Sequence, residues 1–226
     1  MTLRASLAFA LTALLAAAPG SAQTSVIDEG SFRISVRGST IGTETFTIRR
    51  SGSGANATTV AQGRVMLGTG EQTRTVIQLR GDELRPTAYQ IESAGNERES
   101  ITGRAAGSRF RATTVSSTGE QMREYLVDDG AVVLHDGIAH HHYFLAAAGA
   151  GTIPLIAPQQ ARQIRATVQD HGTETIQVAD QQIEARRLSI EITELDNRSI
   201  WVDDRNRVLR VRIPAQELTA QRTSLP

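Results

Sequence analysis

Three consecutive histidines, His140, His141 and His142, are the residues of this chain best suited to bind a metal ion or to transfer protons. Imidazole nitrogens bind zinc and copper, and imidazole titrates near neutral pH. On a helix, consecutive side chains are rotated by about 100°, so these three cannot all reach one ion. We therefore predict that one histidine is half-buried beside a sheet and that the other two are solvated at the start of a helix.

An extended backbone at this segment would favour a different chemistry. His140 and His142 would then share one face, and His135 or Asp136 could complete a zinc or copper site. The alternative hypothesis is thus a metal-binding protein or metal-dependent enzyme that uses His135, Asp136, His140 and His142. The favoured interpretation assigns no metal, no cofactor and no catalytic residue.

Other catalytic patterns are weak. The sequence contains no G-x-S-x-G, no H-E-x-x-H and no phosphate-binding loop. Asp203 and Asp204 are adjacent carboxylates, but "WVDDRNRVL" is typical of two strands joined by a turn whose side chains bond to their own backbone. We therefore expect a protein that is not an enzyme.

Alternation of apolar and polar residues dominates the rest of the chain. In "SFRISVRG", Phe32, Ile34 and Val36 point to one face, which is the pattern of a half-buried strand. A turn at Gly38 then leads to a partner run, "IGTETFTIRR". Similar runs follow in TTVAQGRVML, TRTVIQLR, TAYQIES, RESITGR, SRFRATTV, ARQIRATVQD, TETIQVAD, QIEARRLSIEI, RSIWVD and RVLRVRIP. Short turns favour pairing between sequence neighbours, so we predict a mainly β fold with an antiparallel meander. Closure into a barrel, strong curling around a plug or a two-sheet sandwich would each protect the edges of such a sheet.

One interior segment, residues 138–149, loses the alternation and gains alanine, which is the best helix former. Asp136 is placed to cap the start of a helix, and Gly149 or Gly151 is placed to end it. Pro154 prevents a longer helix. The sequence therefore predicts a single internal helix that acts as a lid or plug for the curved sheet.

The first residues have the layout of a secretory signal peptide. Arg4 precedes an apolar run at 7–18, and the small residues at 20–22 suit cleavage after Ala22. We predict a signal peptide over residues 1–22 and one β-rich domain over residues 23–226, located in the periplasm or secreted. The apolar run is shorter than the roughly 20 residues that span a bilayer, so no transmembrane span is expected.

Composition excludes several classes of protein. The chain has no cysteine, which excludes disulfides, and its 24 basic residues balance 24 acidic residues. Dispersed arginines without net positive charge argue against a nucleic-acid partner.

A signal peptide followed by alternating strands is also typical of an outer-membrane β-barrel, which is the second alternative. Aromatic residues form only 4% of the chain, too few for the aromatic girdles of such a barrel.

The order of these features resembles secreted bacterial relatives of the LolA/LolB lipoprotein carriers. The matching segments are "ISVRGSTIGTETFTI", "LRPTAYQIES", "VVLHDGIAHHHYFLAAAGAGTIPLIAP" and "ARRLSIEI" with "RSIWVDDRNRVLRVRIP", of which the hairpin from Trp201 to Ile213 is the most specific. The resemblance implies a half-open barrel with an apolar concave face that holds acyl chains beneath a helix. It implies a binding protein for a lipid or acyl chain in cell-envelope maintenance, with another envelope protein as a possible partner. The candidate pocket residues are Ile138, Tyr143, Phe144, Leu145, Phe32, Phe46, Ile77, Leu79, Tyr89 and Trp201.

Overall fold

The computed structural model describes residues 24–95, 98–127 and 130–226, so the predicted signal peptide lies outside the described residues. The alternating segments form one large sheet, as predicted. Its strands are β1 (Thr24–Val36), β2 (Ser39–Ser51), β3 (Thr58–Leu67), β4 (Gln72–Arg80), β5 (Arg85–Ala94), β6 (Glu99–Ala106), β7 (Arg109–Ser116), β8 (Gly119–Leu126), β9 (Val132–Val133), β10 (Gly151–Ala157), β11 (Arg162–Val178), β12 (Gln181–Ile192), β13 (Arg198–Val202), β14 (Val208–Ile213) and β15 (Leu218–Arg222).

The strand order is β8-β7-β6-β5-β4-β3-β2-β1-β15-β14-β13-β12-β11-β10-β9, which confirms the antiparallel meander. The first strand pairs with the last in the middle of the sheet, with Phe32 opposite Arg222 and Val36 opposite Leu218. Only β9 and β10 pair in parallel among the described strands. The sequence patterns did not predict β8, β9, β10 or β15, and they divided β11 into two runs at Gly172, where the strand has a bulge.

Strands β8 and β9 form the two edges of this sheet. The sheet curls until β8 approaches β11, and the side-chain amide of Gln163 joins the two strands. Its Nε2 donates to the carbonyl of Leu126 at 2.7 Å, and its Oε1 accepts from the Leu126 amide at 2.9 Å. One side chain thus occupies the unpaired edge of β8, which would otherwise be open to another chain.

The connection between β8 and β10 runs through the interior of the curled sheet. We call residues 131–146 the plug segment, because all of them are buried except Asp136 and Gly137. Its helix α1 covers only His142–Ala148 and is shorter than the predicted helix at 138–149. The turn before it has shorter-range bonds, with His142 N donating to Ala139 O and Tyr143 N to His140 O. The predicted end of the helix at Gly149 is confirmed, and this glycine has a φ of 85°.

Apolar side chains form two separate groups. The inner core lies between the concave face of the sheet and the plug segment. A smaller group, here called the outer cluster, consists of Ile176, Val178, Ala185, Trp201 and Leu209. Since Ile200 and Val202 belong to the inner core and side chains alternate along a strand, Trp201 lies on the opposite face of β13.

Candidate functional site

All three consecutive histidines are buried, so the prediction that two of them are solvated is wrong. His140, His141 and His142 are 1%, 0% and 1% exposed, and His135 is also buried. The prediction was a helix that acts as a lid or plug, with its polar start in water. Instead, the plug segment lies inside the curled sheet, where strands surround the start of the helix.

The start of the helical region is capped by Glu44 of β2. The backbone amides of Ala139 and His140 donate to the two carboxylate oxygens of Glu44 at 2.7 and 2.9 Å, and His140 Nδ1 donates at 2.7 Å. Glu44 is fully buried and therefore needs such donors. The predicted cap at Asp136 is wrong, because the side chain of Asp136 pairs with Arg198 instead.

The ring of His140 is held on two sides. It stacks on Phe46 with ring centroids 5.4 Å apart and an interplanar angle of 4°. On β3, Gly63 leaves room for the ring, because a Cβ at this position would lie 2.3 Å from His140 Cε1. Within the described residues, His140 Nε2 has no hydrogen-bond partner. The ring is thus fixed in place by packing and by Glu44.

His141 points towards the β4–β5 side of the interior. Its Nε2 lies 3.3 Å from Thr75 Oγ1, and its ring meets Tyr89 edge-on with centroids 6.1 Å apart. Burial, followed by the nearby histidines, lowers the pKa of His141 well below its usual value. Burial, followed by the charge of Glu99, raises the pKa of Tyr89. Both side chains are therefore neutral at pH 7.

His142 faces a second buried charge, Arg198 of β13. His142 Nδ1 lies 3.0 Å from the Ala139 carbonyl, which can only accept, so Nδ1 carries the proton. Its Nε2 then faces Arg198 Nη1 at 3.5 Å, and the same Nη1 donates to Asp136 at 2.9 Å. Burial and the charge of Arg198 lower the pKa of His142 to about 3. This histidine is a neutral acceptor for Arg198.

The alternative metal ligands do not meet at one point. Throughout the described part of the chain, no group of three histidine, cysteine, aspartate or glutamate side chains is arranged to hold a metal ion. His140 is engaged by Glu44, while His142 and Asp136 face Arg198. His135 Nδ1 has no hydrogen-bond partner among the described residues, and burial lowers the pKa of His135 to about 4. The geometry favours a structural role for these four residues.

Nine of the ten candidate pocket residues share the inner core, and Trp201 does not. The nine are Ile138, Tyr143, Phe144, Leu145, Phe32, Phe46, Ile77, Leu79 and Tyr89. The cavity between the plug segment and strands β1, β14 and β15 measures only about 20 Å³, which holds about one water molecule. The helix region thus acts as a plug on this side.

A larger apolar space lies on the other flank of α1. We call it the α1 crevice, a cavity of about 300 Å³ between the helix and the turn that joins β4 to β5. Its walls come from Leu84, Val132, Phe144, Ala147 and Ala148, with Asp82, Glu83 and Gly130 also lining it. Of the predicted pocket residues, only Phe144 borders this crevice.

Four buried charged residues were missed by the sequence patterns: Glu44, Arg198, Asp28 and Arg222. Arg222 of β15 forms a two-pronged ion pair with Asp28 of β1, at 2.7 and 3.0 Å. The sequence contained one signal that could have identified such residues, namely their position in the alternation of apolar and polar residues along a strand. Glu44 shares its strand face with Phe46 and Ile48, and a charge at such a position indicates a buried partner.

Fold and interior together define a class of proteins with a strongly curled, open antiparallel sheet around an internal plug. This chain belongs to the DUF6134 family, described as a domain of unknown function, whose sequence profile matches residues 32–222. The resemblance to the LolA/LolB carriers stays a prediction, since the family that matches is DUF6134. No curated protein sequence matches the chain significantly.

The crystal structure of a beta-barrel-like protein of the DUF1849 domain of unknown function, from Brucella abortus, is similar to this fold. The two structures have a TM-score of 0.52 and 12% sequence identity, over 86% of this chain and 93% of the other. At this identity the likeness concerns the fold alone. Among the described residues, no helix has both the length and the apolar character needed to cross a bilayer.

Proposed function

We propose that this protein is an exported binding protein for a small hydrophobic molecule, such as a lipid or an acyl chain, and that the ligand occupies the α1 crevice. The observation that carries this proposal is an apolar crevice of about 300 Å³ beside a fixed helix. This volume lies at the lower end of the range of small-molecule sites, roughly 300–1,000 Å³. Phe144 and Leu84 supply the largest apolar side chains of its walls.

Leu84 belongs to the crevice wall and has a backbone conformation that also occurs at other turns of this sheet, such as those at Arg37 and Glu217. Leu84 has a φ of 52°, a left-handed conformation that is unfavourable for a bulky side chain. Such strain costs on the order of 1–3 kcal/mol and persists where the surroundings or a function require it. In this turn the strained residue is one whose side chain lines the crevice and packs against the inner core.

The proposed location rests on the N-terminal sequence. Cleavage after Ala22 would release the domain to the periplasm or the exterior, where a lipid binder could serve cell-envelope maintenance together with another envelope protein. Mass measurement of protein from the soluble extracytoplasmic fraction should give an N-terminus at or within a few residues of Gln23. Retention of Met1, or recovery only with membranes, would contradict this part of the proposal.

Ligand binding can be tested with the neutral fluorescent probe N-phenyl-1-naphthylamine and the chain that begins at Gln23. The wild type should bind the probe with a blue-shifted emission. Ala147→Phe places a ring in the crevice and should abolish binding while the far-ultraviolet circular dichroism stays unchanged. Ala150→Phe adds the same ring just beyond α1, outside the crevice, and should bind as the wild type does. Absence of probe binding by the wild type, or equal binding by Ala147→Phe, would overturn the proposed site.

A further inference from the structure

The residues that line the α1 crevice carry an unbalanced charge. Two of them, Asp82 and Glu83, are acidic, and none of them is basic. Asp82 is already paired with Arg50, whose guanidinium also lies 3.5 Å from the carbonyl of Gly81. Across the described ranges, Glu83 has neither an ion pair nor a side-chain hydrogen bond. The rim of an apolar crevice therefore presents one carboxylate without an ion pair among the described residues.

We propose, on the basis of the proposed function, that the α1 crevice binds amphiphiles with a positively charged head group, such as long-chain amines, more tightly than it binds fatty-acid anions. The apolar chain would lie against Leu84 and Phe144, and the ammonium group would lie at the rim beside Glu83. A carboxylate head group in the same place would meet a like charge. Charge complementarity thus defines the class of ligand that fits the apolar walls.

Arg50 does not reverse this preference. Arg80 and Arg85 line an adjoining groove together with Asp82 and Glu83, but Arg80 donates to the Ala55 carbonyl and to Asn56, and Arg85 donates to the Gly107 carbonyl. Arg50 is held by Asp82 and by the carbonyl of Gly81. An anionic head group would have to displace the Asp82 carboxylate from it. The expected selectivity is modest, because Glu83 is exposed and water and salt screen its charge. An exposed ion pair corresponds to a preference of about two- to five-fold.

The test compares decylamine, decanol and decanoate as competitors of N-phenyl-1-naphthylamine at pH 7 and low salt, each below its micelle concentration. In the wild type, decylamine should displace the probe at a concentration about two- to five-fold lower than decanoate, with decanol between them. Glu83→Gln should bring the three midpoints together. Glu120→Gln removes the same charge from exposed β8, away from the crevice, and should keep the wild-type order.

The outcomes separate this inference from the proposed function. If the probe binds and all three competitors displace it equally, or if decanoate is preferred, the head-group selectivity is wrong and the hydrophobic site stands. If the probe does not bind and no decyl compound perturbs the protein, the proposed function itself fails. Added salt of 0.5 M should reduce the preference for decylamine, and a preference that salt leaves unchanged would contradict the role of Glu83.

Discussion

Both the inner core and the outer cluster contain polar groups that are buried next to apolar ones. The partners of these polar groups lie at very different distances along the chain in the two regions. In the inner core, Glu44 bonds to His140, 96 residues away, and Arg222 bonds to Asp28, 194 residues away. In the outer cluster, Trp201 lies between Arg187 and Arg210, its direct neighbours on the adjacent strands β12 and β14.

The two regions therefore depend on the rest of the fold to different degrees. The contacts around Trp201 follow from the register of two neighbouring strand pairs, and they stay near solvent. The inner contacts exist only when distant strands and the plug segment are all in place, and they are shielded from water. Single changes should therefore act more strongly in the inner core than in the outer cluster.

The largest effect is expected for the buried ion pair. Arg222→Met leaves Asp28 buried without its cation, which should lower the free energy of unfolding by about 3–5 kcal/mol. Urea unfolding followed by the fluorescence of the single tryptophan, Trp201, measures this. The double variant Asp28→Leu with Arg222→Met removes both charges and should recover much of the loss. A loss below about 1 kcal/mol in the single variant would show that the pair is not shielded.

The next effect concerns the space for the His140 ring. Gly63→Ala introduces a Cβ that would meet this ring at 2.3 Å, and should destabilise the fold by about 1–3 kcal/mol. Gly68→Ala is the control, since its Cβ would meet only the Ile41 carbonyl oxygen, at 3.6 Å. Equal stabilities for the two variants in urea would mean that the ring moves freely within the core.

A third prediction concerns pH. The folded state holds His135 with a pKa of about 4, below the value of about 6.5 in the unfolded chain, so the unfolded state binds more protons between these values. Stability should therefore fall as the pH falls below about 6.5, by about 2 kcal/mol between pH 7 and pH 5 from this residue. His135→Leu should show a correspondingly smaller drop. His171→Gln, at an exposed histidine, should keep the full wild-type drop.

The smallest effect is expected in the outer cluster. Arg210→Gln removes the guanidinium that lies 5.3 Å from the centre of the Trp201 ring, which should lower stability by about 0.5–1 kcal/mol. Arg212→Gln, an exposed position of the same strand with no ring contact described, should change stability less. If Arg210→Gln matched the effect of Arg222→Met, the contrast between the two regions would be lost.

Local patterns were sufficient for much of the fold. Alternation predicted most strands and their antiparallel pairing, because side-chain direction along a strand depends only on neighbouring residues. The end of α1 at Gly149 followed from the need for a positive φ after a helix. The pocket candidates were named from the resemblance to a curved sheet beneath a helix, and nine of them lie in the inner core.

The candidate site was harder to predict, because its decisive contacts are long-range. The burial of the three histidines depends on the plug segment passing inside the sheet, which no local spacing encodes. Asp136 is correctly placed for a cap by sequence distance, yet Glu44 takes that role from another strand. The α1 crevice depends on how the β4–β5 turn faces the helix. Trp201 was named among the pocket candidates, whereas its neighbours Ile200 and Val202 belong to the inner core and Trp201 belongs to the outer cluster.

Because β1 pairs with β15, the middle of the sheet cannot be completed until the last described strand has left the ribosome. Strands β1 to β8 can form hairpins as they emerge, but one edge of β1 has no neighbour until the last described strand has been synthesised. Contacts across such a long sequence separation form slowly, and an unpaired strand edge is open to other chains in the meantime. Joining residue 226 to residue 24 and opening the chain between β8 and β9, which form the two edges of the sheet, would make every pairing of the described strands a pairing between sequence neighbours. Such a rearranged chain should fold faster than the natural order, with the same sheet as its product.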